Sequence, residues 1–347
     1  MALTKVSTGV VDMSGNTGGL VIAKGNGTDV SSGGERPTCN ATILGSIREN
    51  TTDNKVEVCT STGWQFLEEA GPSFIPLTVD YLVVAGGGGG GVGGAGAGGY
   101  RTSFGTGNIN GGLTPVENTL TLSPSTAYAI VVGTGGAGIV GNGTGVQSAS
   151  GSDSVFSSIT STGGGGAGTA GGTGSFNAGV AGGSGGGSHN SASAGAAVTN
   201  PVQGFAGSVQ GSCCGGGGGG AGGPGNANTN GGVGLNSSIT GTQTSYAGGG
   251  GGYPSGGASF GGGASGGNGT GSNATPNTGA GGGSGINGGR GGSGVVILRY
   301  PSAYTIDTTQ IGSDLSSTND NSVSGYTITT IICANSATTG TGTIQFT

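Results

Sequence analysis

Glycine occupies every third position at Gly279, Gly282, Gly285, Gly288, Gly291 and Gly294, without a gap. The same spacing holds for Gly87, Gly90, Gly93, Gly96 and Gly99, and for Gly216, Gly219, Gly222 and Gly225. Three residues per turn is the period of polyproline II. In a bundle of such left-handed rods, an all-glycine face lets backbones approach closely, and N–H and Cα–H groups reach carbonyls on the next rod. The intervening positions, such as Ser284, Asn287, Arg290 and Ser293, then share another face. Collagen has the same period, but here the phase breaks after a few triplets, proline numbers only 10, and the breaks hold turn residues such as those at 226–230. A continuous triple helix is excluded. At about 3.1 Å per residue, runs of roughly 10 to 16 residues would span about 30 to 50 Å, and several such rods joined by turns make a layered block.

With 93 glycines in 347 residues, a conventional apolar core is hard to build, because glycine brings no side chain and loses the most backbone freedom on folding. Disorder is not the expected alternative. Hydrophobic residues are 31% and charged residues only 6%, whereas solvated tails carry many charges. The formal charge is −6 and the basic residues are scattered from Lys5 to Arg299, so nucleic acid is not an expected partner. From Ser154 to Gly289 there is no Asp, Glu, Lys or Arg; hydrogen bonds and backbone contact must hold that stretch together. The first residues lack the apolar core of a secretory signal, and no segment reaches the roughly 18 apolar residues of a membrane span. No membrane insertion is expected.

The expected fold is mainly β with a polyglycine-II bundle and essentially no α-helix. Residues 1–75 hold most of the charge and read as a small β attachment or oligomerisation module. Segments 45–50 and 55–59 form a hairpin signal, with Trp64 packing against it. Residues 76–300 form the glycine-rich domain. It is bracketed by β-prone segments at 80–84 and 294–300, which are expected to pair. Further strands are expected at 118–122, 127–132 and 154–159. Residues 301–347 read as a short C-terminal β-cap, or as one strand set of an oligomer.

Residues 79–85 running into six glycines, then 122–128 with 131–133, 152–156 and a closing 294–300, resemble the glycine-rich domain of phage tail-fibre proteins. Similar folds are known in phage tail-tip adhesins and in anaplastic-lymphoma-type receptor kinases. Residues 45–50 with 55–59, Gly63 and Trp64 also look like a short β-module common in phage fibres. The resemblance implies a virion surface protein, assembled in the host cytoplasm and released on lysis, that displays loops for binding a bacterial surface protein or glycan. The absent signal agrees with that origin. It also implies a homotrimer, with the N-terminal module joined to other virion proteins. A purely structural virion component, such as a capsid decoration or fibre shaft, is the alternative. An ice-binding protein would need a flat, regular Thr or Ala face, which these faces do not offer.

No catalytic residue, cofactor or metal is expected, and the protein reads as non-enzymatic. A Gly-x-Gly-x-x-Gly pattern follows Ala85, but no amphipathic helix follows it and no acidic residue stands about 20 positions on to hold a ribose. The match of residues 182–186 to a nucleophile elbow is chance in a Gly/Ser tract, and His189 has no carboxylate nearby in sequence. Cys39 and Cys59 flank the hairpin and are a possible disulfide. Cys213 and Cys214 lack partners at ligand spacing; a bridge to Cys333 or burial is expected instead. Receptor-binding candidates are the residues interrupting the glycine pattern: Tyr100, Arg101, Phe104, Phe176, His189, Phe205, Tyr246, Tyr253 and Phe260. Rings on a rigid scaffold give contact area at low entropic cost, although for any one of them the filling of a gap between rods and sheet is the readier expectation.

Overall fold

The computed structural model describes strand backbone at 23–25, 47–50, 55–60 and 63–66. It also describes residues 76–347 except 108, 142–145, 171–176, 212–213, 227–228, 255, 258–260 and 268. The chain divides into two units, Met1–Ile75 and Pro76–Thr347.

The first unit holds a four-stranded sheet of β1 (Ala23–Gly25), β2 (Ile47–Asn50), β3 (Lys55–Thr60) and β4 (Gly63–Phe66), in that order. β2 and β3 form the expected antiparallel hairpin, with Ile47 opposite Val58. Trp64, half-buried on β4, lies opposite Cys59. Cys59 is disulfide-bonded; Cys39 lies outside the described residues.

The second unit begins with β5 (Thr78–Val84), β6 (Tyr100–Thr102), β7 (Leu120–Thr121), β8 (Ala127–Val132), β9 (Ser154–Phe156) and β10 (Ile159–Ser161). It continues with β11 (Leu235–Ser237), β12 (Thr244–Tyr246), β13 (Val295–Pro301), β14 (Ile306–Asp307), β15 (Leu315–Asp320), β16 (Tyr326–Cys333) and β17 (Gly340–Phe346). A short 3-10 turn lies at Gly111–Leu113, and no α-helix occurs among the described residues. One sheet runs β15-β16-β13-β5-β6 and another β10-β9-β8-β17-β14. The two bracketing segments pair antiparallel, Val296 opposite Val83 and Leu298 opposite Tyr81. Alternation then sends Val79, Tyr81, Val83, Val296, Leu298 and Tyr300 to one face, where they meet Ile130, Val132, Phe156, Ile344 and Phe346 of the other sheet. Tyr300 and Phe346 make an edge-to-face pair across this interface, with centroids 5.1 Å apart. The opposite face of β5 and β13 is buried too: Leu82, Val84, Val295 and Ile297 pack under Ala97, Tyr100, Ile239 and Tyr246. Burial on both faces explains why these strands read as continuous apolar runs instead of alternating.

Residues 301–347, read from sequence as a cap, belong to this same unit. β16 pairs with β13, and β17 inserts between β8 and β14. Cys333 is buried and is a free thiol, its Sγ donating to the Val132 carbonyl at 3.2 Å. The bridge to Cys333 entertained from sequence is therefore replaced by burial.

The glycine tracts form rods that stack through main-chain hydrogen bonds with a period of three. The rod at 86–91 carries the clearest pattern. Gly86 and Gly89 donate to Ser152 and Ala149, Gly87 and Gly90 to Gly292 and Gly289, and Gly88 and Gly91 to Gly96 and Gly93, at 2.8–3.1 Å. Its carbonyls accept from three other segments: Gly136 and Ile139, Gly164 and Ala167, Gly282 and Gly285. Donor targets run antiparallel to the rod and acceptor partners run parallel, so the rod is ringed by six neighbours. At each residue a Cβ would lie under 3.0 Å from backbone of an adjacent rod. The Cα hydrogen at that place therefore points at a carbonyl oxygen, a Cα–H···O contact. None of the glycines at 86–91 has positive φ, as the left-handed polyproline-II form requires.

The rods are shorter than the triplet runs suggest. The run from Gly279 to Gly294 folds back at 285–287, and Gly289 and Gly292 then donate to Gly283 and Ala280 of the same run. The run from Gly87 to Gly99 reverses at 91–93 in the same way. A rod of six residues spans roughly 20 Å. Reversal supplies the neighbour that sideways hydrogen bonds need, and the threefold phase survives the turn.

Candidate binding surface at the rod tips

Each sheet strand that leads into glycine hands the chain to a rod, and a partner rod returns it. β5 leads out through 86–91 and β6 receives 93–99; β8 leads out through 133–139 and β9 receives 147–153; β13 receives 288–294. The turns at 91–93 and 285–287, together with Val140 and Val146 where one rod ends and its return begins, therefore gather at the end away from the strands. Hydrogen bonds knit them around Val92. Gly285 donates to Gly91 (2.9 Å), Tyr253 to Val92 (3.0 Å) and Val92 to Gly168 (2.8 Å). Gly141 donates to Asn287 Oδ1 (2.8 Å) and Thr169 Oγ1 to the Val146 carbonyl (2.8 Å). Val140 is 84%, Val146 61% and Ile286 42% exposed. No Asp, Glu, Lys or Arg occurs in these turns.

The aromatic candidates separate into groups. Tyr253, half-buried, sits in this surface, and its carbonyl accepts from Gly215. His189 bridges to Gly215, and its N–H donates to the Asn177 carbonyl at 2.7 Å. Burial pushes the His189 imidazole below its usual value, against a smaller opposing effect of a backbone hydrogen bond with Thr169. Tyr100 and Tyr246 are not on exposed loops: they lie on β6 and β12, with 0% and 6% exposure, covering the outer face of β5 and β13. Large rings are needed there, where rods of bare glycine would leave voids. Phe205, half-buried, lies within a rod, its N–H donating to Gly220. The ring of Phe104 takes the Arg299 guanidinium at 4.9 Å, and Tyr326 takes it at 4.3 Å. Phe176 and Phe260 lie outside the described residues.

Arg101 serves the framework. Its Nε donates to Glu117 Oε1 at 2.8 Å, and Glu117 also accepts from Tyr81 Oη (2.9 Å) and Asn110 Nδ2 (3.2 Å). Burial alone would raise the Glu117 carboxyl, but the Arg101 hydrogen bonds and charge outweigh it and hold the group below the usual carboxylate range. This half-buried ion pair ties the loop after β6 to the sheet.

All six N–H groups of 86–91 are engaged by neighbouring rods, so the Gly-x-Gly-x-x-Gly pattern offers no cradle for a phosphate. Among the described residues no group of three His, Cys, Asp or Glu could hold a metal ion. The aliphatic tips Val92, Val140, Val146 and Ile286 were not singled out from sequence. Of the four only Val92 has glycine on both sides, and neither it nor Ile286 breaks the triplet phase.

A family model described as a glycine-rich domain matches residues 70–301. No curated protein and no solved structure matches the chain.

Proposed function

The chain belongs to that glycine-rich domain family, and on this premise we propose that it is a non-enzymatic virion surface protein, a bacteriophage tail fibre or adhesin, whose rod tips bind a host receptor. The observation that carries the reading is the convergence of turns at one end of a scaffold with no slack. The rod at 86–91 is fixed by neighbours on all sides, so the turn at 91–93 that it carries is presented with little ordering entropy to lose on binding. The sequence resemblance to phage fibres supplies the setting. Purified, fluorescently labelled protein is expected to adsorb to some members of a panel of bacterial strains and to protect those strains from phage infection. Adsorption to none of them, with no protection, contradicts the proposal.

A further inference from the structure

Independently of host attachment, we infer that Asn230 is a site of spontaneous modification. Ring closure with the Gly231 amide converts it to aspartate and isoaspartate, while the other described Asn–Gly pairs are held unreactive. The chemistry is intramolecular. The Gly231 nitrogen, losing its proton to solvent base, attacks Asn230 Cγ; the Cγ–Nδ2 bond breaks and the amide nitrogen leaves as ammonia, which closes a succinimide ring. Water then opens the ring. Attack at the side-chain carbonyl gives aspartate, and attack at the main-chain carbonyl gives an isoaspartyl link that routes the chain through the side chain. No oxidant, reductant or cofactor takes part. Glycine after asparagine favours closure because it puts no Cβ beside the attacking nitrogen.

The reaction needs solvent at the asparagine, an amide nitrogen not committed to a carbonyl, and a donor for the charge that gathers on Oδ1 during attack. Asn230 meets all of these. It is exposed, its Oδ1 accepts from the Gly257 N–H at 2.8 Å, and the Gly231 N–H makes no hydrogen bond among the described residues. Asn287 lacks the free nitrogen. It is exposed and its Oδ1 accepts from Gly141 at 2.8 Å, but the Gly288 N–H donates to the Ile139 carbonyl at 2.9 Å. Asn110 lacks the solvent. It is 2% exposed, and its amide is held at both ends, Oδ1 by the Thr102 N–H at 3.1 Å and Nδ2 by Glu117 Oε1 at 3.2 Å. Asn26, Asn142 and Asn268 also precede glycine but lie outside the described residues. The aspartyl product places a carboxylate within 154–289, where the chain has none, and it can go on accepting from Gly257. The isoaspartyl product lengthens the main chain just ahead of the hydrogen bond from Gly232 to Gly218 at 2.8 Å.

The test ages the full chain, folded, in mildly alkaline buffer. Each Asn–Gly pair is then read by peptide mass spectrometry after a brief pepsin digestion in acid, where the glycine nitrogen keeps its proton and the reaction stops. Asn230 should gain the mass that marks NH₂ replaced by OH at least about fivefold faster than Asn287, the factor that breaking one backbone hydrogen bond imposes on the attack. Asn110 should stay intact. In urea the rates at Asn110, Asn230 and Asn287 should converge to within about twofold, because unfolding removes the contacts that distinguish them. Asn230 that stays intact in the folded chain yet reacts in urea overturns the inference, as does Asn287 or Asn110 reacting as fast as Asn230 in the folded chain. Unequal rates that persist in urea would trace the difference to local sequence and overturn it as well.

Discussion

Alanine at Gly90 is expected to lower the thermal unfolding midpoint by roughly 10 °C, whereas alanine at Gly211 should leave it within about 2 °C. The Cβ added at Gly90 would lie under 3.0 Å from the carbonyl oxygen and carbon of Gly283. Those atoms cannot step aside alone. Gly283 accepts from Gly289 and donates to Ser272, so relief means shifting a rod and breaking a row of hydrogen bonds. Overpacking of this kind costs about 3 kcal/mol. Alanine also removes freedom from the unfolded chain, which favours folding, but by only about 0.4–1 kcal/mol, and the steric cost wins. At Gly211 nothing lies within 4 Å of the added Cβ and φ is not positive, so only the small favourable effect remains. Calorimetry of the two variants beside the parent gives the comparison.

A chain ended after Pro301 is expected to lose cooperative unfolding altogether, even though it retains all of the family match at 70–301. The removed strands include the neighbour of β13 and the strand between β8 and β14. Ile306, Leu315, Ile328, Ile331, Ile344 and Phe346, all buried, leave with them. Tyr300, Ile130 and Val132 are then uncovered. Each large apolar side chain removed from the interior forfeits about 1.5–3 kcal/mol, and the sum rivals the whole stability of a typical domain, about 5–15 kcal/mol. Near-ultraviolet circular dichroism and calorimetry of the truncated chain test this. A sharp transition near that of the parent would mean that 301–347 is a dispensable appendage after all.

The threefold glycine spacing made the rods legible, and the apolar runs at 80–84 and 294–300 made the central strand pair legible. Rod ends were not. The reversals at 91–93 and 285–287 keep the triplet phase, so a scan for broken periodicity passes over them. Depth in the bundle is written more subtly: 86–91 is glycine at all six positions because neighbours surround it, whereas 147–153 keeps Ser, Ala and Asp, several of them exposed. The placement of β17 between β8 and β14 is a long-range pairing that no local pattern specifies. Aromatic interruption was an ambiguous mark for a binding site. Tyr100 and Tyr246 interrupt glycine because the sheet beneath needs filling, while the tip at Val140 interrupts it with an aliphatic side chain that has no core to enter.

Hydrogen exchange at the amides of 86–91 tests the central claim most directly, namely that ringed glycine rods act as a second core built from backbone. The account predicts protection comparable to that of the central strands β5 and β13, lost only when the whole unit unfolds. Exchange of those six amides at the rate of an open chain, while β5 and β13 stay protected, would contradict it.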